Sequence, residues 1–112
     1  MCSYKTLFHH DETGYVIHCQ GCDSVQVAYG NVLLTWRRAD FYGFCKYVKQ
    51  MKDDMPCDER ANHKSIVMPV PCEGVRIILS PRELDEWHSM LDIAETELQS
   101  QELMQLFSAS DH

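Results

Sequence analysis

The stretch Val25-Gln26-Val27-Ala28-Tyr29-Gly30-Asn31-Val32-Leu33-Leu34 decides the fold class of this chain. Val25, Val27 and Tyr29 alternate with Gln26 and Ala28, the period of a strand with one face buried. Gly30-Asn31 is turn chemistry suited to positive φ, and Val32-Leu33-Leu34 returns as the partner strand of a tight hairpin. From Trp36 the period changes. Phe41, Phe44, Cys45, Val48 and Met51 recur at helical spacing, so a helix follows the hairpin. Lys49 and Lys52 near its end suit the carbonyl pole, and Pro56 closes the region.

The same pattern extends in both directions. On the N-terminal side, Tyr4 to Phe8 and Tyr15-Val16-Ile17-His18-Cys19 are strand-like and flank Asp11-Glu12-Thr13-Gly14, which predicts another hairpin. On the C-terminal side, Met55 to His63 reads as a loop. Ile66, Met68 and Val70 then alternate as a strand whose Pro69 and Pro71 point to a sheet edge, and Val75 to Leu79 pairs back after Gly74. Ser80-Pro81-Arg82-Glu83 is a helix start: Ser80 as N-cap, Pro81 at the first helical position and Glu83 completing a capping box. Leu84, Trp87, Leu91, Ala94 and Leu98 form one buried stripe. Leu103, Met104, Leu106 and Phe107 fall out of phase with it, which predicts a bend or a separate short helix after Gln99-Ser100-Gln101. Residues 108–112 read as a frayed tail.

Both halves run strand, turn, strand, helix, with Leu34-Thr35 and Arg37 echoed by Leu79-Ser80 and Arg82, so a degenerate ββα duplication is one reading. Chance recurrence of a common motif is the other. The expectation is one α+β domain over residues 1–112: an antiparallel sheet of about five or six strands with two main helices packed on it.

The segments Gly14-Tyr15-Val16 to Cys19-Gln20-Gly21-Cys22, Val27 to Leu34 and Asp40-Phe41 to Phe44 resemble an uncharacterised family of small bacterial proteins, a domain of unknown function with a CxxC strand-turn motif. No activity or site residue is implied by that resemblance.

The chain has 112 residues, Lys+Arg 10 against Asp+Glu 17, and a formal net charge of −7. Such a balance repels phosphate backbones and argues against duplex nucleic acid as a partner. No window reaches the roughly 20 apolar residues of a membrane span, and the first residues lack the pattern of a secretory signal, so the expected location is cytoplasmic. Six cysteines in a chain with ample aliphatic residues then read as thiols or metal ligands rather than a disulfide framework.

Cys19-Gln20-Gly21-Cys22 is the one short motif with a mechanism attached. Two thiolates across a turn eased by Gly21 can grip a tetrahedral zinc, with Cys2, His9, His10 or His18 as weaker candidates to complete the site. Two ordinary thiols beside a turn is the plainer reading. A redox pair is the third, although thioredoxin-type chemistry wants the first Cys at a helix N-terminus. Neither a nucleophile–base pair nor a phosphate-cradling loop is legible, so an enzyme is the less favoured class.

Cations concentrate on the first helix (Lys46, Lys49 and Lys52, with Arg37 and Arg38 before them), acids on the second (Glu83, Asp85, Glu86, Asp92, Glu95, Glu97 and Glu102). Opposite fields can pair the helices or join two copies, and acidic outer faces serve solubility. The leading expectation is a non-enzymatic interaction or regulatory module, with a structural zinc at the Cys19–Cys22 knuckle as one option; as a separate expectation, two copies associate through Leu103, Met104, Leu106 and Phe107. A small thiol-dependent enzyme or redox protein using Cys19 and Cys22 is the alternative.

Overall fold

The computed structural model describes residues 3–54, 63–64, 66–70 and 72–110, with side chains to residue 107. It shows an α+β fold of six strands and two helices. Strands β1 (Tyr4–His10), β2 (Gly14–Cys19), β3 (Ser24–Tyr29) and β4 (Val32–Arg37) form an antiparallel meander in chain order. Helix α1 covers Arg38–Asp54, β5 (Ile66–Pro69) pairs with β6 (Arg76–Leu79), and α2 spans Pro81–Ser110.

The central hairpin closes in the expected register, with Tyr29 opposite Val32 and Val25 opposite Trp36. Gly30 takes φ +56°, while Asn31 stays at negative φ. Val16, Val25 and Val27 face inward together with Leu34 and Trp36 from β4. An irregularity between Thr6 and Phe8 shifts the β1 register and leaves Leu7 buried beside Phe8. Gly14 is required where β2 opens: its φ is +146°, and a Cβ there would lie 2.0 Å from the carbonyl oxygen of Ala28.

The six strands divide between two sheets instead of joining one. Pro69 sits within β5 and offers no N–H, so the β5–β6 ribbon is poorly equipped to extend a ladder. The two strand–turn–strand–helix units are present as β3–β4–α1 and β5–β6–α2. Their helix starts differ, because Trp36 and Arg37 belong to β4 and α1 begins only at Arg38.

Both helices pack on the inner face of the four-stranded sheet, α2 over β1 and β2 and α1 over β3 and β4. They run antiparallel to one another: Arg38 at the start of α1 meets Glu102, and Lys52 at its end meets Asp85 at 2.6 Å. The opposite charges of the two helices thus pair them within one chain. The core joins Phe41, Phe44 and Val48 of α1 to Leu84, Trp87, Leu91, Ala94 and Leu98 of α2, with Phe44 edge-on to Trp87 at 5.8 Å. Cys45 is a small core residue, as its place on the α1 stripe predicted; burial, with Glu95 and Asp92 nearby, pushes its thiol far above the usual range.

Ser80 and Glu83 form the expected capping box: the Ser80 N–H donates to Glu83 Oε1 at 2.9 Å, and the Glu83 N–H donates to Ser80 Oγ at 3.2 Å. The expected break near residue 100 is absent. α2 is one helix of 30 residues, because residues 82–107 hold neither Gly nor Pro, and Gln, Glu, Leu and Met all sustain helix. The helix runs through Ser110, into the stretch read as a tail; Asp111 and His112 lie outside the described residues, as does most of the expected 55–63 loop.

Candidate functional site

The β2–β3 turn, Gln20 to Asp23, carries the motif singled out in the sequence. Cys19 ends β2 and is 1% exposed, whereas Cys22 lies exposed in the turn with Sγ 3.1 Å from Ser24 Oγ. The two cysteines are close, and no disulfide joins them. The Gln20 N–H donates to Ser3 O, tying the turn to the start of β1.

The other predicted ligands are distributed elsewhere. His9 and His10 pair with Tyr15 and Gly14 at the opposite end of the hairpin. That places them roughly 13–17 Å from Cys19, at about 3.3 Å per strand residue. His10 accepts the Glu12 N–H on Nδ1, and His9 is 3.7 Å from Asp11. Cys2 and Cys57 fall outside the described residues, and Cys72 is exposed on the β5–β6 turn. Among the described residues no group of three His, Cys, Asp or Glu side chains assembles that could hold a metal ion, and the candidate ligand Cys2 lies outside them.

What gathers at this end of the molecule is a polar chain that sequence reasoning did not find. His18, 4% exposed on the inner face, lies 2.8 Å from Asp23 Oδ1 through Nε2. The same Asp23 oxygen accepts from Arg38 Nε at 2.9 Å and from a terminal guanidinium nitrogen at 2.7 Å. Arg38 also donates to Glu102 Oε1 at 2.8 Å, and the Tyr42 hydroxyl donates to that oxygen at 2.7 Å. Burial would raise the Asp23 carboxyl, but the hydrogen bonds from His18 and Arg38 outweigh it and hold the group below the usual carboxylate range. The Tyr42 hydroxyl is pushed up by burial and by its bond to Glu102.

Asp23 itself adopts φ +55°, a left-handed turn conformation that Asp tolerates. That tolerance, and its place just after the CxxC, was the signal available in sequence; its partner Arg38, and the Glu102 that Arg38 also holds, are brought in only by the fold. The His18 Nδ1 atom is buried and has no hydrogen-bond partner among the described residues. The chain joins the β2–β3 turn, the start of α1 and the far part of α2 into one unit.

Beyond that tie, α2 turns outward. On its inner side the positions that continue the core stripe become Gln101, Glu102 and Gln105. Leu103, Met104, Leu106 and Phe107 are 55%, 66%, 66% and 69% exposed. Ile93, 52% exposed, lies on the same outer side as Leu103, Met104 and Phe107. The phase change read in the sequence is therefore a change of face on one continuous helix.

A family model, the family of unknown function DUF6686, matches residues 1–109, and the chain belongs to that family. No curated protein and no solved structure matches it. Among the described residues no helix is long and apolar enough to cross a membrane.

Proposed function

We propose that this protein is a cytoplasmic, non-enzymatic interaction module that works as a homodimer through Leu103, Met104, Leu106 and Phe107. The observation that carries the reading is the exposure of four large apolar side chains within five positions of α2, on a segment whose inner side is already committed to polar contacts. Apolar clusters of this kind on a soluble domain mark association surfaces. The acidic charge of the rest of α2 keeps the surface selective rather than sticky. The thiols of Cys19, Cys45 and Cys72 suit a reducing cytoplasm. A thiol-dependent enzyme is less well supported, because Cys19 is buried at the end of a strand and lacks the helix N-terminus that would activate it.

Sedimentation equilibrium of the full chain tests the reading. The expected result is a dimer that becomes monomeric in the Leu103→Glu, Met104→Glu variant with unchanged helical circular dichroism. A wild-type chain that stays monomeric at high concentration overturns it.

A further inference from the structure

The two cysteines of the β2–β3 turn lie between His18 and Asp23 in the chain: Cys19 follows the one and Cys22 precedes the other. Cys19 points to the side of the sheet opposite His18, and its partner across the β2–β3 pair is Ser24. Directly opposed residues of an antiparallel pair share a face and sit close together. Cys22 Sγ lies 3.1 Å from Ser24 Oγ, so the second sulfur stands over the residue that faces the first. The Cα atoms of residues three apart across a tight turn lie within about 7 Å, and a disulfide spans Cα atoms about 4.4–6.8 Å apart. Shared face and short separation thus bring the two sulfurs to one place. Of the two, Cys22 is the one open to solvent.

We propose that Cys19 and Cys22 form a reversible disulfide switch, closed by a peroxide and opened by a dithiol reductant, whose closure pulls Asp23 off Arg38 and loosens the outer half of α2. The inference goes beyond the dimer reading and does not depend on it. The Cys22 thiolate attacks one peroxide oxygen; an S–O bond forms, the O–O bond breaks, and the departing hydroxide takes up a proton and leaves as water. Ser24 Oγ is placed to donate a hydrogen bond to that thiolate. The Cys19 thiol then gives up its proton and displaces the hydroxyl from the Cys22 sulfenic acid, which leaves as a second water. Two thiols are oxidised to one disulfide, and one peroxide is reduced to two waters. Burial of Cys19 is no obstacle, because its reaction partner is delivered from within the turn. Thiol–disulfide exchange with a dithiol reverses the step.

Closure reaches α2 because three contacts converge on one atom. Asp23 Oδ1 lies 2.8 Å from His18 Nε2 and accepts from Arg38 at 2.9 and 2.7 Å. Hydrogen bonds weaken steeply with lost alignment, so a shift of Asp23 by roughly 1 Å disturbs all three together. The sulfurs are not bonded to one another, so closure requires movement, and the turn is the side that yields. Cys19 is buried and held in the ladder between Tyr4 and Ser24, whereas Cys22 sits in the exposed turn next to Asp23 at φ +55°. Movement of Cys22 passes to Asp23 through one rigid peptide unit. Arg38 then loses one of the two carboxylates that fix it, and it is Arg38 that holds Glu102 of α2 at 2.8 Å.

Hydrogen peroxide treatment of the reduced full-length chain, followed by peptide mass mapping and hydrogen exchange, tests the proposal. The peptide that holds Cys19 and Cys22 should lose two hydrogens and resist alkylation at both residues, and dithiothreitol should restore it. In the oxidised chain the α2 amides beyond Leu98 should exchange about tenfold faster or more, while those of residues 84–98 change little. Cys22→Ser, a conservative change at an exposed position, should abolish both effects under the same oxidant, which separates them from oxidation of the exposed Met104. A Cys22 that remains a thiol, bonds to another cysteine or stops at a sulfenic or higher acid beside an unreacted Cys19 overturns the pair. A Cys19–Cys22 bond that leaves α2 exchange unchanged overturns the switch.

Discussion

The first eighteen residues of α2 and the segment after them belong to one helix and behave as opposites. From Pro81 to Leu98 the helix places Leu84, Trp87, Met90, Leu91, Ala94 and Leu98 in the core, and Trp87 is fully buried against Tyr29 and Phe44. From Gln99 onward the side facing the body is polar, held to α1 by Glu102, and the apolar side chains face out. Continuity of a helix is a backbone matter of propensity and the absence of breakers. Which face is apolar is a separate matter, and it can change along the axis without bending the helix.

The largest effect that would test this contrast is at Trp87. Trp87→Ala should cost about 3–5 kcal/mol of stability in chemical denaturation, because it empties the centre of the buried stripe. A loss comparable to that of an exposed residue would mean that the inner half of α2 is not the core.

That half was legible in the sequence because its signals are local. The Ser80-Pro81-Arg82-Glu83 box and the stripe from Leu84 to Leu98 lie within a few turns of each other, and the Gly30-Asn31 hairpin reads off adjacent residues. The outer half was legible only as a conflict of phase, read as a bend, because a one-dimensional pattern does not say whether an apolar cluster changes helix or changes face. The start of α1 was displaced for a similar reason: Trp36 suits either period, and its pairing with Val25 places it in β4. The link from Asp23 through Arg38 to Glu102 spans elements far apart in the chain, and no spacing announces it. The CxxC was legible as a motif, but the burial of Cys19 and the exposure of Cys22 are set by the strand end and turn.

The tie between the two halves provides the next test. Arg38→Ala leaves Asp23 and Glu102 without their shared cation and should cost about 1.5 kcal/mol, the low end for hydrogen bonds to charged groups, because the guanidinium is partly exposed. Hydrogen exchange of α2 amides beyond Leu98 should quicken while those of residues 84–98 change little. The same tie has a pH signature. The Asp23 carboxyl is depressed in the folded state, as is that of Glu83, where burial is outweighed by bonds from Lys64 and Ser80. Their contribution is therefore fully present above the unfolded carboxylate range of about 4 and is lost as pH falls through the lower folded values. An Asp23→Asn variant should show a flatter decline of stability on the acid side than wild type.

A smaller change is expected from Ser80→Ala, about 1 kcal/mol for loss of the cap, read in urea denaturation. No measurable change would mean that the Glu83 N–H finds another acceptor. The smallest is at the outward face: Leu103→Glu with Met104→Glu should shift the stability of the monomer by less than about 0.5 kcal/mol. A large loss in a monomeric sample would show that these side chains pack within their own chain.

A helix of 30 residues is about 45 Å long at 1.5 Å per residue, and the molecule measures 55 × 27 × 26 Å. Only the longest dimension can hold it, so α2 defines the axis about which the monomer tumbles most freely. Its amide bonds lie nearly along that axis and are insensitive to spinning around it. In solution, ¹⁵N relaxation of α2 should therefore report a slower apparent rotation than bonds set across the axis. The two rates would converge if association of two copies produced a more isotropic particle.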